Sequence, residues 1–144
     1  EVMYFKKKKK NSNSEYKQVS LDELLKTCDI ISIHCPLNEN TKDLLNYKNM
    51  KNIKDGAILL NLGRGGIINE PDLAKIIDEK EIYCGLDVVS VEPIAEYNPL
   101  LKVKNKDRLL LTPHIGWASV EARNRLVKMV AENIKEFISQ KRIS

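Results

Sequence analysis

Ala57-Ile58-Leu59-Leu60 leads, two residues later, into Gly63-Arg64-Gly65-Gly66, and the fold class follows from this join. The first four residues are continuously apolar, which is typical of a strand buried on both faces of a parallel sheet. The glycines end that strand. Asn69 can cap a helix whose early residues include Pro71 and Asp72, both suited to a first turn. The segment therefore predicts a strand, a turn and a helix in succession.

The same alternation extends along the rest of the chain. Strands are predicted at residues 2–5, 30–33, 57–60, 83–86 and 109–111, with a brief extended piece at 16–19. Helices are predicted at 21–27, where Ser20 and Glu23 form a capping-box pattern, at 46–53, after Asn69, and at 119–140. Residues 87–106 are predicted to form a long loop. Apolar strands that alternate with helices predict an α/β fold, with a parallel sheet covered by helices on both faces.

Composition and charge exclude several classes of protein. The 144 residues carry a formal charge of +4, and subtracting the five lysines at positions 6–10 leaves −1. This tract has no interleaved aromatic residues and no helix-turn-helix or finger spacing, so a solvated loop or a phosphate contact is favoured over nucleic-acid binding. No apolar run approaches the roughly 18 residues of a membrane span. We expect a protein that binds neither nucleic acid nor membrane.

The sequence also bears on the cellular location of the protein and on its cysteine chemistry. The first residues do not read as a signal peptide, so a cytoplasmic location is expected. Three cysteines, Cys28, Cys35 and Cys84, are odd in number and form no Cys-x-x-Cys pair. They predict neither a disulfide framework nor a structural zinc site.

Polar residues follow four of the predicted strands at their carboxyl ends, where α/β sheets bind ligands. They are His34-Cys35, Gly63-Arg64, Asp87 and His114. An arginine amid glycines suits bidentate capture of a carboxylate. Each residue also has an ordinary structural interpretation: a solvated cation, a turn residue, a small apolar filler. The residues alone therefore predict a small-molecule site without identifying its reaction.

Four segments carry a resemblance to a known family. Residues 61–69 read Asn-Leu-Gly-Arg-Gly-Gly-Ile-Ile-Asn, and residues 85–93 read Gly-Leu-Asp-Val-x-x-x-Glu-Pro. Residues 98–101 read Asn-Pro-Leu-Leu, and residues 112–119 read Thr-Pro-His-Ile-Gly-Trp-Ala-Ser. In this order and spacing they resemble the D-isomer-specific 2-hydroxyacid dehydrogenases, most of all the glycerate dehydrogenase or hydroxypyruvate reductase subgroup.

The resemblance implies catalytic roles for three residues. His114 would be the general acid that protonates the carbonyl oxygen of a 2-oxo acid as hydride arrives from a nicotinamide. Glu92 would hydrogen-bond that imidazole and orient it. Arg64 would hold the carboxylate of the substrate and polarise its carbonyl group.

The resemblance also implies a cofactor, NAD, and the residues that contact it. Asp87 resembles the residue beside the nicotinamide. The other expected contacts are Cys35, Pro36, Leu62, Gly63, Arg64, His114, Gly116 and Trp117. The usual acid for the ribose hydroxyls is missing where Phe5-Lys6 stands, so NADP is the alternative cofactor, with lysines 6–10 facing its 2′-phosphate. The implied partner is a small 2-oxo or 2-hydroxy acid, and the full-length form is expected to be a homodimer.

The chain departs from the family in one respect that bears on activity. Its glycines stand at positions 56, 63, 65, 66, 85 and 116, so it contains no Gly-x-Gly-x-x-Gly. We therefore predict an incomplete Rossmann-like, doubly wound sheet that lacks its first strand, glycine-rich loop and first helix. In domain terms, residues 1–144 are a partial dinucleotide-binding domain with a C-terminal helix, without the N-terminal substrate-binding part.

Three interpretations of function remain open at this point. The leading one is an NAD(P)-dependent oxidoreductase fragment that is inactive in isolation. The second is a non-catalytic, nucleotide-sensing binding protein of the corepressor type, since such proteins resemble the family in the same residues. The third is an inert remnant of a truncated gene.

Overall fold

The computed structural model describes residues 1–6 and 15–141, and the chain forms two compact units, one from Glu1 to Pro113 and one that begins at His114. The strands are β1 (Met3–Tyr4), β2 (Lys17–Gln18), β3 (Ile30–Ile33), β4 (Ile58–Asn61), β5 (Tyr83–Leu86) and β6 (Leu109–Leu111). The helices are α1 (Leu21–Thr27), α2 (Tyr47–Met50), α3 (Glu70–Glu79) and α4 (Val120–Lys141), with 3₁₀ turns at Pro99–Lys102 and Lys106–Arg108. Positions 7–10 of the lysine tract lie outside the described residues.

A four-stranded parallel sheet in the order β3-β4-β5-β6 is the centre of the first unit. Each strand pairs with the next along the chain, and the crossovers run through α2, α3 and the 3₁₀ turns. The α/β class and the parallel sheet predicted from the sequence are confirmed. Strands β1 and β2 form a separate two-stranded parallel sheet, so the predicted extended piece is present and β1 does not pair with β3.

Within the described residues of the first unit, the two faces of the four-stranded sheet differ in exposure, whereas helices were predicted on both. On one face Ile31, Leu59 and Cys84 are buried. The opposite face exposes apolar side chains at alternate positions, including Ile30 at 62% and Leu110 at 66%, with Ile58 and Tyr83 between them. Because side chains alternate across a strand, a continuously apolar strand does not reveal whether a helix covers its second face.

The predicted capping pattern at α1 forms only in part. Ser20 Oγ accepts a hydrogen bond from the Glu23 N–H at 3.1 Å, as an N-cap does. The Glu23 carboxylate binds Lys17 Nζ at 2.9 Å instead of returning to the Ser20 backbone. The helix nonetheless begins and ends where the sequence predicts.

Helix α2 is shorter than the predicted 46–53. The N–H of Lys51 still bonds four residues back, to the Tyr47 carbonyl, whereas the N–H groups of Asn52 and Ile53 bond three residues back. The last turn is therefore tightened into 3₁₀ geometry, which places Ile53 in the core. The predicted loop at 87–106 also contains structure, the 3₁₀ turn at Pro99–Lys102 that buries Leu100.

The second unit is dominated by α4, which lies within one residue of its predicted bounds. Ser119 Oγ accepts a hydrogen bond from the Ala122 N–H at 3.1 Å and so caps the helix. Its apolar side chains, among them Val127 and Phe137, are exposed. Within the part of the chain that the structure describes, no helix combines the length and apolarity needed to cross a bilayer.

Candidate active site

The turn after β4 is shaped by the buried amide of Asn61, the last residue of that strand. Its Oδ1 accepts from the Gly63 N–H at 3.1 Å, and its Nδ2 donates to the Arg64 carbonyl at 2.9 Å. Because the side chain is only 2% exposed, both bonds are shielded from water. The Asn61 side chain therefore fixes the conformation of the glycine turn, residues 63–66, through these two bonds.

Arg64 projects from this turn into solvent. Its Nη1 donates to the Gly63 carbonyl at 2.8 Å, a bond that uses one of the five guanidinium N–H groups. Arg64 follows the carboxyl end of β4 by three residues, and its exposed planar guanidinium is suited to bind a carboxylate.

Gly65 is where the turn meets the loop that follows β5. A Cβ built on Gly65 would lie 2.0 Å from the Val89 carbonyl oxygen and 2.5 Å from the Ser90 nitrogen. These neighbours are backbone atoms, so only glycine fits without moving one of the two segments. The backbone at Gly65 and the loop at Val89 are in direct contact.

The carboxylate of Glu70, the first residue of α3, anchors the same loop. One oxygen, Oε1, accepts from the Ser90 N–H, and the other, Oε2, accepts from Asn98 Nδ2 at 2.7 Å. Asn98 in turn accepts from the Leu100 N–H through its Oδ1 at 2.9 Å. Glu70 and Asn98 are 8% and 5% exposed, so this is a buried polar network.

Asp87 follows β5 directly and is buried. Its Oδ1 accepts from Thr112 Oγ1 at 2.6 Å, and its N–H donates to the Asn61 carbonyl at 3.0 Å. The segment after β6 bonds back in turn, since the Thr112 N–H donates to the Leu86 carbonyl. Asp87 thus joins the carboxyl ends of β4, β5 and β6.

Glu92 lies further along that loop and is exposed. Its Oε1 accepts from the Val89 N–H at 3.3 Å, a bond that folds the loop back on itself. Arg64, Asp87 and Glu92, predicted from sequence to share a site, thus belong to one set of connected loops.

His114 opens the second unit, together with Gly116 and Trp117. It has a φ of 55°, the left-handed region that non-glycine residues seldom adopt. Trp117 Nε1 donates to the His114 carbonyl at 2.8 Å, which closes a turn before α4. An unusual backbone conformation of this kind recurs at functional residues.

The other predicted residues follow β3. His34 is hydrogen-bonded to the Ser32 hydroxyl at 2.8 Å, which gives the second histidine a local partner. A Cβ on Gly63 would lie 3.5 Å from the Ile33 carbonyl oxygen and 3.8 Å from that of Cys35, so the turn lies against the backbone that leaves β3. Pro36 and Leu62 are exposed at this edge.

The residues present fit one end of a nicotinamide dinucleotide. Leu37 and Leu62, which follow β3 and β4, are exposed and offer apolar contact, and Asp87, directly after β5, is buried. A pyrophosphate needs free N–H groups at a helix N-terminus. The described helices α1 and α3 instead begin with acidic residues, Asp22-Glu23 and Glu70 with Asp72. Among the described elements, the sheet edge thus fits the nicotinamide end, whereas the starts of α1 and α3 do not fit the phosphates.

Residues 1–116 match the family model described as D-isomer specific 2-hydroxyacid dehydrogenase, NAD binding domain. The chain belongs to this family. It is 45% identical over 129 residues to the hydroxypyruvate reductase of Blautia hydrogenotrophica, a match that covers 89% of this chain and 38% of that protein. The family resemblance drawn from the motifs is confirmed.

Solved structures of the family share the fold. A D-lactate dehydrogenase from Aquifex aeolicus, complexed with NAD and lactic acid, superposes with a TM-score of 0.80 at 27% identity, covering 96% of this chain and 46% of that one. An acyclic imino acid reductase in complex with NADPH and D-Arg gives 0.82 at 33% identity, covering 96% and 43%. The Rossmann-like assignment is confirmed, and the chain spans less than half the length of these relatives.

Sequence reasoning missed four residues whose hydrogen bonds fix the segments around the candidate site. Asn61, Glu70 and Thr112 each bond to a segment that carries a predicted site residue, and Asn98 bonds to Glu70. Asn61, Asn98 and Thr112 lie inside the four motif segments, with Asn61 at the end of β4 and Thr112 directly after β6. The sequence places Glu70 directly after the helix cap Asn69. A carboxylate there is equally typical of a charge that stabilises the first turn of a helix, so it did not indicate a partner in the loop.

Proposed function

We propose that the protein containing this chain is an NAD(P)-dependent oxidoreductase that reduces a small 2-oxo acid, of the hydroxypyruvate or glyoxylate type, to a D-2-hydroxy acid. One observation carries the proposal. The turn that bears Arg64 is packed, through Gly65 and Val89, against the loop that bears Asp87 and Glu92. An anion-binding cation and two carboxylates are thereby held at one sheet edge, in a chain of this family.

Each residue has a defined task in this proposal. Arg64 binds the substrate carboxylate through its guanidinium fork, which fixes the neighbouring carbonyl group in position. His114 donates a proton to the carbonyl oxygen, and Glu92 orients the imidazole. When bound, the nicotinamide supplies the hydride that reduces the carbonyl carbon.

The cofactor contacts follow the same assignment. Asp87, Cys35, Pro36, Leu62, Gly63, Gly116 and Trp117 would contact the nicotinamide half of the cofactor, alongside Arg64 and His114. NAD is the proposed cofactor, with NADP as the alternative at Lys6. We also propose a cytoplasmic homodimer, and residues 1–144 as part of a dinucleotide-binding domain with its C-terminal helix.

The test is steady-state oxidation of NADH and NADPH with hydroxypyruvate and glyoxylate, using the native protein produced from its complete coding region. His114→Ala should lower kcat by about 10²- to 10⁴-fold, the usual contribution of a positioned acid. His34→Ala is the matched control, because it removes the chain's other histidine, which also follows a strand, and it should retain activity. A fully active His114→Ala variant would contradict the assignment.

Arg64 is tested by the same assay. Arg64→Gln should raise KM for the 2-oxo acid by about 10²-fold, as expected when a bidentate ion pair worth roughly 3 kcal/mol is lost. Arg125→Gln, an exposed cation on α4, is the control. Equal KM values for the two variants would remove Arg64 from the site. Nucleotide binding without turnover by the wild type would instead favour a sensing protein.

A further inference from the structure

We propose that Glu70 is a positioning residue, which fixes the loop bearing Asp87 and Glu92 onto the glycine turn bearing Arg64. This inference rests on the proposed function for its catalytic consequence. Its structural part stands on contacts within the first unit alone.

The contacts form a continuous path from α3 to the site. The Ser90 N–H donates to Glu70 Oε1, while the preceding residue, Val89, lies against Gly65 through its carbonyl. The N–H of Val89 donates to Glu92 Oε1. The peptide unit between Val89 and Ser90 therefore contacts the start of α3 and the glycine turn. The preceding peptide unit binds the Glu92 carboxylate, the candidate orienting group.

The chemistry of the network requires a carboxylate at position 70. Two donors, the Ser90 N–H and Asn98 Nδ2, meet its two oxygens, and a carboxylate accepts at both. An amide has one acceptor oxygen, so Glu70→Gln would turn its NH₂ group either against the Asn98 NH₂ group or against the Ser90 N–H, and both orientations weaken the Ser90 anchor. Asn98 cannot rotate to resolve the clash without losing the bond from the Leu100 N–H to its Oδ1.

Because the Glu70–Asn98 network is buried, its hydrogen bonds can hold the loop at Ser90 in a fixed position. Both side chains are more than nine-tenths buried, and hydrogen bonds to a charged acceptor that is shielded from water are worth more than exposed ones. Loss of the Ser90 anchor would leave Val89 held by the Gly65 contact and the Glu92 bond. Loop and turn would then move relative to one another, and a displacement of about 1 Å at a reacting group can cost roughly 10²-fold in rate.

The network also offers its own reciprocal test. In the double variant Glu70→Gln with Asn98→Asp, the donor and acceptor between positions 70 and 98 are exchanged. The amide oxygen at position 70 still accepts from the Ser90 N–H, and the amide NH₂ group donates to the new carboxylate at position 98. That carboxylate keeps its second oxygen for the Leu100 N–H, and the net charge is unchanged.

A matched control lies two residues away. Asp72 is a second carboxylate in the first turn of α3, and its Oδ2 accepts from the Tyr47 N–H at 2.8 Å, on the side of α2. Asp72→Asn makes the same chemical change on the same helix without touching the loop. It reports what a general weakening of α3 does.

The first measurement is amide hydrogen exchange on the 144-residue chain. Glu70→Gln should speed exchange at Val89 and Ser90 by about 10- to 100-fold, the loss expected for one hydrogen bond to a charged group. The double variant should recover most of this protection, and Asp72→Asn should leave these two amides unchanged. Unchanged exchange in Glu70→Gln would overturn the proposal, whatever the protein catalyses.

The second measurement is kinetic and uses the complete native protein. Glu70→Gln should reduce kcat for the 2-oxo acid by about 10- to 100-fold with KM for the nicotinamide cofactor little changed, and the double variant should restore kcat. Faster exchange with an unaltered kcat would overturn the positioning role. A wild type without dehydrogenase activity would refute the proposed function, and the exchange data would then decide separately whether Glu70 holds the loop.

Discussion

At the scale of single residues, the absence of a side chain at Gly65 allows the glycine turn to contact the loop at Val89. Gly65→Ala would place a methyl group 2.0 Å from the Val89 carbonyl oxygen, and a backbone neighbour can move only by shifting its loop. We expect a loss of about 2–3 kcal/mol in the free energy of unfolding, typical of overpacking. Urea denaturation measures it.

Gly63→Ala is the control for that experiment. Its Cβ would meet its nearest neighbours at 3.5 Å, ordinary van der Waals distance, so it should cost less than about 1 kcal/mol. Equal losses for the two variants would show that the loop does not press on Gly65.

Cys84 makes stability depend on alkaline pH. Burial in β5 raises the pKa of its thiol from 9.0 to about 12. Above about pH 9 the unfolded chain loses this proton while the folded chain retains it, so the free energy of unfolding falls between about pH 9 and pH 12. Between about pH 9 and 10.5 the loss should approach roughly 2 kcal/mol.

The measurement is urea denaturation across that pH range. Cys84→Ala should remove this part of the slope, whereas Cys28→Ala, at a partly buried thiol, should keep it. Identical slopes for the wild type and Cys84→Ala would mean that Cys84 is accessible to water in the folded state.

At the scale of elements, strand β1 should be the weakest part of the first unit. It makes two residue pairs with β2, whereas β4 lies between β3 and β5 and contains the fully buried Leu59. Short edge pairs open readily because few buried contacts hold them. Amide exchange at Met3–Tyr4 should therefore be orders of magnitude faster than at Leu59 and Leu60. Equal protection in a monomer would show that the two sheets unfold together.

Elements with a local origin were predictable from the sequence. Helix α1 and strands β3, β5 and β6 have the predicted bounds, because a cap or an apolar run specifies them within a few residues. The exposure of the sheet face that carries Ile30 and Leu110 was not predictable. Ile30 and Leu110 are apolar like the buried residues beside them, and their exposure depends on what lies across the sheet.

The site was predictable only where its residues are chemically unusual for their position. Arg64 among glycines and an aspartate directly after a strand stand out in the sequence. Glu70 and Asn98 are 28 residues apart, and their bond arises only when the chain has folded. Glu70 has no local pattern, and the motif that contains Asn98 does not reveal its partner, since that partner is set by tertiary structure.

At the scale of the whole molecule, the chain covers less than half the length of the relatives it matches. Residues 1–116, which match the family model, include the candidate carboxylate-binding arginine and the candidate acid, and the chain covers 38% of its Blautia relative. Within its 144 residues there is no Gly-x-Gly-x-x-Gly, and its helices α1 and α3 begin with acidic residues that disfavour a pyrophosphate. On this basis we expect weak binding of a cofactor pyrophosphate by α1 and α3.

The most direct test compares NADH and NADPH oxidation by the isolated 144-residue chain and by the complete native protein, with hydroxypyruvate as the substrate. The complete protein should turn over and lose about 10²- to 10⁴-fold of its rate in His114→Ala, while the isolated chain should show no activity above background. Turnover by the isolated chain at the rate of the complete protein would contradict the account.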